Sequence, residues 1–355
     1  MNLYDNNNYL EDVSRVSNEV LPWDKLRNKN ILITGATGLI GSFLIDVILQ
    51  NNIKNNLNCK IYALGRNKEK AAKRFSNYFN DENLIFIPYD IKKPLMIENI
   101  ETVDYILHLA SNTHPYLYST DPVGTIITNL IGLQNILDFS LNHNTTRVVF
   151  GSSNEVYGEN RGDVELFDEN YCGYINSNTL RACYPESKRC GEALCQAYIS
   201  QYKADVVIAR FTRSYGPTML SSDTKAVSQF INKALQNEDI VLKSEGTQFY
   251  SYTYVADAVC GLLYVMLNGE CGQAYNIAHE TGDITLRELA TIIAEKVGKK
   301  VIFELPNDIE KKGFSKATKA RLDGTKTMSL GWNPYFDIKK GINRTIDILR
   351  TTYKN

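Results

Sequence analysis

A tyrosine followed four residues later by a lysine is the pair of residues with the clearest chemical potential in this sequence. Side chains at positions i and i+4 of a helix share one face, so a phenol and an ammonium at this spacing can lie close together. Among 22 tyrosines such matches also arise by chance. Tyr184 stands out because Pro185, a residue favoured in the first helical turn, follows it, and a helical pattern continues through Lys188. The two other matches are Tyr89 with Lys93, after a strand and a turn, and Tyr335 with Lys339, in a proline-containing loop.

The pair of Tyr184 and Lys188 is suited to removing a proton from a hydroxyl group. A free tyrosine has a pKa of about 10, so a base near neutral pH needs that pKa lowered by about 3 units, or roughly 4 kcal/mol. One cation about 4 Å away in a partly shielded site supplies on the order of 4 kcal/mol. We therefore expect Lys188 to lower the pKa of Tyr184. The alternative is a solvated helix face that carries both side chains.

Polar residues follow the apolar run at 147–151. The carboxyl ends of strands are where reacting groups lie in open α/β sheets. We expect Ser153 to donate a hydrogen bond to a substrate oxygen while Tyr184 removes its proton. Glu155 is positioned to act as an acid or base on a neighbouring substrate carbon. The alternative is that Ser152 and Ser153 satisfy the backbone of a turn and that Glu155 is a solvated charge.

A glycine-rich turn near the start of the chain predicts a dinucleotide site. It follows an apolar strand at 30–34 and precedes an apolar helix beginning near Ser42. Gly35 permits a sharp turn, Gly38 lets backbone N–H groups approach phosphate oxygens, and Gly41 lets the helix lie against its strand. The start of the helix adds unpaired N–H groups and a partial positive charge. The alternative is a loop that only turns the chain.

Short apolar runs alternate with longer helical patterns in the first two thirds of the chain, which predicts βαβ units and a parallel sheet. Several runs lack strict alternation, as is typical of strands buried on both faces. The runs are residues 30–34, 60–64, 84–88, 105–110, 147–151 and 205–210. The expected fold class is therefore α/β, a doubly wound Rossmann parallel sheet with a smaller, interleaved C-terminal α/β substrate lobe.

The pattern changes to amphipathic helices after Gly216, at 225–236, 255–267 and 285–297. A late strand at 274–278 could return to the main sheet. We expect the chain to have three parts, and we expect Trp23 to pack the first of them against the body of the protein. They are an N-terminal extension at 1–29, a dinucleotide-binding Rossmann domain at 30–216 with the late strand, and a substrate-binding lobe at 217–273 and 279–350.

Composition excludes several classes of function. The chain has 39 Lys and Arg against 40 Asp and Glu, a net charge of -1, which implies no basic surface for a nucleic-acid polymer. Residues 1–29 are polar and no apolar run approaches the length of a membrane span, so we expect a cytoplasmic protein with no membrane partner. Seven cysteines form no CxxC pair and join no histidine cluster, so we expect reduced thiols and no metal site.

Together these residues resemble the extended short-chain dehydrogenase/reductase family of NAD-dependent nucleotide-sugar epimerases, dehydratases and decarboxylases. The resemblance covers the chain from Asn30 to about Tyr335, and its motifs are most similar to those of UDP-glucuronate decarboxylases. It rests on the glycine turn, Asp90, His108-Leu109-Ala110-Ser111, Asn129, Ser153-Asn154-Glu155-Val156-Tyr157-Gly158, Arg181-Ala182-Cys183-Tyr184, Lys188-Arg189, Ala209-Arg210-Phe211, Tyr215-Gly216-Pro217 and Gly246-Thr247-Gln248.

The resemblance implies a redox cycle with no net oxidation. Tyr184 removes the proton of a sugar 4-hydroxyl while hydride passes to a tightly bound nicotinamide, and the hydride later returns. The implied catalytic residues are Tyr184, Lys188, Ser153, Glu155 and Asn154. The implied cofactor-binding residues are Gly35, Thr37, Gly38, Leu39, Ile40, Gly41, Arg66, Asp90, Ile91, Leu109, Ala110, Ser111, Tyr184, Lys188 and Phe211. The implied substrate-binding residues are Thr113, Arg213, Lys225, Lys243 and Tyr250.

The sequence departs from the family pattern at several of these positions. Asn154 stands where dTDP-glucose dehydratases have an aspartic acid that protonates the departing hydroxyl, and an amide cannot supply that proton. Tyr250 and Thr218 stand where decarboxylases have arginines, and the loss of two cations matters for an anionic substrate. Arg213, where asparagine is usual, can restore one cation. NAD-using members of the family usually have an acidic residue at the end of the second strand, where it binds the ribose 2'-hydroxyl. Arg66 stands in that region here, which leaves NADP at least as plausible as NAD.

The leading functional hypothesis is a nucleotide-sugar lyase, either a decarboxylase or a 4,6-dehydratase, because Glu155 occupies the place of a glutamate that such enzymes use in the middle step. The alternative is a nucleotide-sugar 4-epimerase or a 4-keto-sugar reductase, in which Glu155 would be incidental. A remote alternative is a non-catalytic NAD(P)-sensing regulator. The resemblance also implies a homodimer formed through the helix at 125–140 and the helix that carries Tyr184.

Overall fold

A seven-stranded, fully parallel sheet forms the centre of the protein in a computed structural model. The model describes residues 2–78, 80–97, 100–113, 115–304 and 318–353. The spatial order is β3-β2-β1-β4-β5-β6-β10, which confirms the expected doubly wound α/β class. The strands are β1 (Asn30–Thr34), β2 (Lys60–Gly65), β3 (Leu84–Pro88), β4 (Tyr105–His108), β5 (Arg147–Ser153), β6 (Val206–Phe211) and β10 (Ala274–Ile277).

Helices cover both faces of this sheet, and successive residues of β1 show this directly. Ile31 and Ile33 enter one hydrophobic core with Phe43, while Leu32 enters a second core with Leu137. A strand buried on both faces needs an apolar residue at every position, which is why the sequence of β1 lacks alternation. The helices are α1 (Asn7–Ser17), α2 (Leu39–Asn55), α3 (Lys68–Arg74), α4 (Pro115–Thr120), α5 (Pro122–Asn142), α6 (Cys183–Tyr202), α7 (Ala226–Leu235), α8 (Val255–Asn268), α9 (Leu286–Val297), α10 (Thr325–Met328) and α11 (Ile338–Tyr353).

The carboxyl edge of the sheet differs slightly from the strand ends expected from sequence. The run at 105–110 leaves the sheet after His108 because the backbone N–H groups of Leu109 and Ala110 both donate to the Thr34 hydroxyl. The run at 147–151 instead continues to Ser153, which pairs with Phe211 of β6. Strands β1 and β4 are neighbours although β2 and β3 lie between them in sequence, so the topological switch point lies between β1 and β4.

The smaller sheets come from the C-terminal part of the chain. One contains β7 (Arg213–Tyr215), β9 (Phe249–Tyr254), β11 (Asp283–Thr285) and β13 (Lys319–Ala320), and the other pairs β8 (Ile240–Leu242) with β12 (Val301–Phe303). The late strand β10 joins the main sheet beside β6, as expected. The division into lobes at Gly216 stays a prediction. Helix α8, assigned to the substrate lobe, packs on the main sheet, where a Cβ at Gly261 would lie 2.8 Å from Ile277 of β10.

Residues 2–29 pack on the body of the protein through α1 and a short 3-10 helix at Trp23–Leu26. Trp23 is buried, as expected. Arg74 of α3 forms a 2.5 Å ion pair with the buried Asp46 of α2, and the Tyr4 hydroxyl donates to Asp46 at 2.7 Å. Tyr4 thus joins the N-terminal segment to an ion pair between α2 and α3. Breaking a buried ion pair leaves an uncompensated charge, so this cluster stabilises the packing of the three segments. No helix in the described chain is long and apolar enough to cross a membrane.

Candidate active site

The glycine turn between β1 and α2 forms a cradle of bare backbone. Gly35 has a φ of +68°, and a Cβ there would lie 2.8 Å from the backbone nitrogen of Ala110. A Cβ at Gly41 would lie 2.6 Å from the Gly35 carbonyl oxygen. At position 41 only glycine therefore lets α2 lie this close to the turn. Gly38 is the N-cap of α2, and within the described residues no side chain caps this helix end. This arrangement fits the diphosphate of a dinucleotide.

The other side of the cradle is set by the Thr34 hydroxyl at the end of β1. Thr34 Oγ1 accepts hydrogen bonds of 3.1 Å from the N–H groups of both Leu109 and Ala110. It also lies 2.9 Å from Nδ1 of the buried His108. Burial and the nearby Lys188 lower the pKa of His108 to about 3, so this imidazole is neutral. One hydroxyl thus joins the ends of two neighbouring strands at the switch point.

Tyr184 lies in the first turn of α6 with 5% of its surface exposed. Burial raises its pKa to about 12, and the charge of Glu155 adds to this effect. Hydrogen bonds with the hydroxyls of Ser153 and Ser111 and the charge of Arg181 act in the opposite direction. The structure therefore brings Tyr184 and Ser153 together, as the sequence predicted, at the carboxyl ends of β4 and β5.

Lys188 does not lower the pKa of Tyr184 in the expected way. Its ammonium nitrogen lies 6.0 Å from the centre of the Tyr184 ring and donates to the Gly151 carbonyl oxygen at 2.7 Å. It also lies 4.8 Å from the centre of the Phe150 ring. Burial lowers the pKa of Lys188 itself to about 8, while the nearby Glu192 opposes that change. Burial of the phenol therefore outweighs the attraction of an ammonium that points to the backbone.

A chain of hydrogen bonds holds the first turn of α6 against α5. The Ser111 hydroxyl donates to Asn129 Oδ1 at 2.7 Å, and Asn129 Nδ2 donates to the Ser187 hydroxyl at 2.8 Å. The Ser187 hydroxyl donates in turn to the Tyr184 carbonyl oxygen at 2.9 Å. Because Asn129 is fully buried and bonded on both sides, it fixes Ser111 relative to Tyr184.

Glu155 forms an ion pair with Arg181, in which Oε2 and Nη2 are 2.8 Å apart. The Arg181 guanidinium lies 4.9 Å from the centre of the Tyr118 ring. The Tyr118 ring stacks in turn on that of Tyr184, with 4.8 Å between centres and 25° between planes. Glu155 is therefore a paired carboxylate near Tyr184, which differs from the solvated charge that was its alternative interpretation.

Arg213 and Tyr250 lie together on the neighbouring strands β7 and β9. The Arg213 guanidinium carbon is 3.6 Å from the centre of the Tyr250 ring. Its Nη1 is buried and has no hydrogen-bond partner among the described residues. Arg213 is two residues beyond Phe211, the last residue of β6, whose neighbour across the sheet is Ser153. A cation with an unpaired donor thus lies just outside the carboxyl edge of the main sheet.

The remaining substrate-site residues have other surroundings. Lys225 forms a 3.0 Å ion pair with Asp223, and Lys243 forms a 3.0 Å ion pair with Glu304. Thr113 lies in the loop between β4 and α4. Their roles in substrate binding stay predictions. Asn154 is buried beside Ser153, with its Oδ1 3.5 Å from the Ser153 hydroxyl.

The outer cofactor-site residues lie along the same edge of the sheet. Arg66 is exposed directly after β2, and Asp90 follows β3 in a turn where its Oδ1 accepts from the Lys92 N–H. Ile91 is buried, and its carbonyl oxygen accepts a 2.7 Å hydrogen bond from Asn135 of α5. Thr37, Leu39 and Ile40 are partly exposed around the glycine turn. These positions follow one strand edge, and their contacts with a cofactor stay predictions.

Sequence reasoning assigned no role to three residues of this site. Arg181 precedes Tyr184 by three residues, so helical spacing was a signal that the two side chains share a surface. Tyr118 had no such signal, because it reaches Tyr184 from α4 across 66 positions of chain. Thr218, at a position where decarboxylases have an arginine, uses its hydroxyl to donate to the Leu39 carbonyl oxygen at 2.9 Å.

Comparison with known proteins places the chain among NAD-dependent enzymes. A model of the NAD dependent epimerase/dehydratase family matches residues 31–278. UDP-glucuronic acid decarboxylase 3 of Arabidopsis thaliana is 34% identical over 321 residues, which are 89% of this chain and 87% of that protein. UDP-glucuronic acid decarboxylase 1 of Xenopus tropicalis is 32% identical over 326 residues, covering 91% and 72% of the two chains.

Solved structures agree with this result. The dTDP-glucose 4,6-dehydratase DesIV from Streptomyces venezuelae, with NAD and TYD bound, has a TM-score of 0.78 and 25% identity, covering 91% of this chain and 97% of its own. The UDP-glucose 4-epimerase of Thermotoga maritima has a TM-score of 0.77 and 25% identity, covering 92% and 100%. The family description names NAD, which confirms one of the two expected cofactors. The chain belongs to the NAD dependent epimerase/dehydratase family.

Proposed function

We propose that this protein decarboxylates a nucleotide-linked hexuronate through a transient 4-ketone. The observation that carries the proposal is the convergence of Tyr184, Ser153 and the ion-paired Glu155 beside the glycine cradle. The similarity to UDP-glucuronic acid decarboxylases supports it. Asn154 favours decarboxylation over dehydration, because an amide cannot protonate a departing hydroxyl whereas carbon dioxide leaves without that proton.

The first step is oxidation of the sugar at C4. The Tyr184 phenolate takes the proton of the 4-hydroxyl, and the Ser153 hydroxyl donates a hydrogen bond to the same oxygen. Bound beside the glycine cradle, NAD would supply the hydride acceptor for C4, and the positive charge of its oxidised ring would favour the phenolate. Lys188 holds the strand end by donating to the Gly151 carbonyl oxygen, next to Ser152 and Ser153.

The middle step follows from the position of the new ketone. A carboxylate at C5 is β to the C4 ketone, so the bond between C5 and C6 breaks, carbon dioxide leaves, and the electron pair becomes an enolate. C5 then takes one proton, which Glu155 relays from solvent. Return of the hydride to C4 and of the Tyr184 proton to O4 completes a cycle that consumes one proton and no redox equivalent.

The substrate is an anion, and Arg213 is its proposed ligand. The guanidinium carbon lies 3.6 Å from the centre of the Tyr250 ring, and Nη1 is buried without a hydrogen-bond partner among the described residues. A planar guanidinium can donate two parallel hydrogen bonds to a carboxylate or a phosphate.

We also propose that the protein acts in the cytoplasm as a homodimer. All seven cysteines are free thiols in the structure, consistent with a reducing compartment.

The dimer interface proposed here is one face of α5 together with α6. Val123, Ile126, Ile127 and Ile131 are exposed on α5 at helical spacing. Exposed positions on α6 include the small residues Ala193 and Ala197, which permit a second helix to approach closely. Packed against the same face of another copy, these helices would form a two-fold symmetric four-helix interface.

The first prediction concerns the product. Purified protein is incubated with UDP-, GDP-, CDP- and dTDP-linked hexuronates and hexoses, and the products are weighed by mass spectrometry. We expect one hexuronate to lose the mass of carbon dioxide. Loss of the mass of water from a hexose, or an isomer of unchanged mass, would contradict decarboxylation. Tyr184→Phe is the control: it should lower turnover by about 10²- to 10⁴-fold while the variant still binds NAD, measured by calorimetry.

The second prediction concerns Glu155→Gln. The amide keeps the size of the side chain but cannot relay a proton, so protonation at C5 should become slow while oxidation at C4 continues. Reduced nicotinamide should then accumulate during turnover, visible as absorbance at about 340 nm. If oxidation and product formation are lost to the same degree, Glu155 does not act in the middle step.

The third prediction concerns Arg213→Met, which keeps apolar contact with Tyr250 but removes the charge. Hydrogen bonds to charged groups contribute about 1.5 to 3 kcal/mol, so KM should rise by about 10- to 100-fold with a smaller change in kcat. Arg213→Lys should lie between this variant and the unaltered protein, since it restores charge without the planar fork. An unchanged KM in Arg213→Met would remove Arg213 from the substrate site.

The fourth prediction tests the dimer. Ile127→Glu places a charge in the centre of the proposed interface, and a buried unpaired charge is strongly unfavourable. Light scattering after size exclusion should give twice the mass of the 40.2 kDa chain for the unaltered protein and one chain for the variant. Val20→Glu, at a position 93% exposed on the N-terminal segment, is the matched control and should stay dimeric. A single-chain mass for the unaltered protein would exclude the interface.

A further inference from the structure

Two acidic groups with conflicting requirements lie at the active site. Tyr184 must lose a proton to act as a base, and Glu155 is a carboxylate whose charge raises the pKa of Tyr184. A negative charge close to a phenol disfavours the phenolate, more strongly in a shielded site than in water. The proposed reaction therefore needs a counter charge that reduces the effect of Glu155 on Tyr184.

Arg181 is in the right place to provide that counter charge. Its Nη2 donates to Glu155 Oε2 at 2.8 Å, and about a fifth of each side chain is exposed. The nearby positive charge of Arg181 lowers the pKa of Tyr184, opposite to the effect of Glu155. Arg181 lies in the short 3-10 helix Leu180–Ala182, which leads directly into α6.

An aromatic ring lies beside the guanidinium of Arg181. The guanidinium carbon is 4.9 Å from the centre of the Tyr118 ring, which also stacks on the ring of Tyr184. Tyr118 lies in α4, and its carbonyl oxygen accepts a hydrogen bond from the thiol of Cys183 in α6. A stacked, planar cation keeps one orientation toward Glu155, whereas a lysine ammonium has no plane to stack.

We infer that Arg181 is a positioning residue for the reaction, whose guanidinium holds Glu155 in one place and offsets the charge of that carboxylate beside Tyr184. This inference rests on the proposed function, since it presumes that both groups take part in one reaction. No covalent step and no proton transfer are assigned to Arg181: it acts on the reaction through Glu155.

The other groups around Tyr184 do not replace this effect. Cys183 and Tyr118 are thiol and phenol groups whose pKa values are raised by burial, so both are neutral near pH 7. Burial instead lowers the pKa of His108 to about 3, so this imidazole is also neutral near pH 7. Lys188 is a cation, and its ammonium is bonded to the Gly151 carbonyl oxygen. Among the charged groups that affect Tyr184, Glu155 and Arg181 are therefore a matched pair of opposite sign.

The experiment measures the pKa of Tyr184 directly. Full-length protein saturated with NAD is labelled with [¹³Cζ]tyrosine, and the Tyr184 signal is assigned by its loss in Tyr184→Phe. Removing the carboxylate in Glu155→Gln should lower the pKa of Tyr184, and removing the guanidinium in Arg181→Gln should raise it, each by about 1 to 2 units. The double variant Arg181→Gln/Glu155→Gln should return close to the unaltered value.

A control separates charge from packing. Arg189 is a second arginine beside this segment, and it donates to the backbone carbonyl oxygens of Val156 and Gly173. Arg189→Gln should lower the melting temperature while leaving the pKa of Tyr184 unchanged. Arg181→Lys should restore part of the pKa effect but not the position of Glu155. Reduced nicotinamide should therefore still accumulate in Arg181→Lys during turnover, as it does in Glu155→Gln.

The inference is overturned if Arg181→Gln and the double variant have the same Tyr184 pKa, because charge compensation would then be absent. It is also overturned if Arg189→Gln shifts that pKa as much as Arg181→Gln does. The NMR titration requires no turnover, so it gives its answer even if no hexuronate is decarboxylated. Failure of the proposed function would instead be seen in the product masses of the unaltered protein.

Discussion

The constraint on which the site depends is that its phenol is buried. A Tyr184 side chain removed from water is oriented by its neighbours, but the same burial raises its pKa to about 12 and opposes the ionisation that a base requires. Several polar groups around it act on this conflict: the hydroxyls of Ser153 and Ser111 form hydrogen bonds with it, and Arg181 counters the charge of Glu155. A positively charged nicotinamide ring beside the phenol would act in the same direction, which couples cofactor binding to activation of the base.

The parallel sheet makes this arrangement possible because it brings distant segments to one edge. Thr34 closes the end of β1 against the residues that follow β4, Ser153 ends β5, and Arg213 follows β6. Helix α6 is tied to the same edge, since the Ser152 hydroxyl donates to Glu192 at 2.5 Å and Glu192 pairs with Arg210 at 2.6 Å. Rigid strands thereby hold side chains that are far apart in sequence, and rigid placement is what acid–base chemistry needs.

The sequence predicted the parts of this structure that local pattern determines. The strands of the main sheet, the glycine turn, the helix of Tyr184 and the return of β10 follow from periodicity, glycine placement and the demands of burial on both faces of a sheet. The short strands of the two smaller sheets were not predicted. What local pattern could not give is the direction of long side chains. Lys188 shares a helix face with Tyr184 as predicted, yet its ammonium turns to the Gly151 carbonyl oxygen because an unbonded buried cation is costly. Tyr118 reaches the site from α4 through tertiary packing, which spacing does not encode.

The proposed substrate site has its cation on a different strand from the one that the family resemblance implies. The family resemblance implies arginines at the positions of Thr218 and Tyr250. Here the Thr218 hydroxyl donates to the Leu39 carbonyl oxygen at the start of α2, beside the glycine turn. The Tyr250 ring on β9 instead supports the guanidinium of Arg213 on β7, 3.6 Å from its centre. Because β7 and β9 are adjacent strands, the positive charge of Arg213 lies one strand away from the position of Tyr250, and the Tyr250 ring packs against its guanidinium. An anionic substrate would then bind a cation on β7, the strand that follows β6. Arg213 is only two residues from Phe211, which pairs with Ser153 at the end of β5.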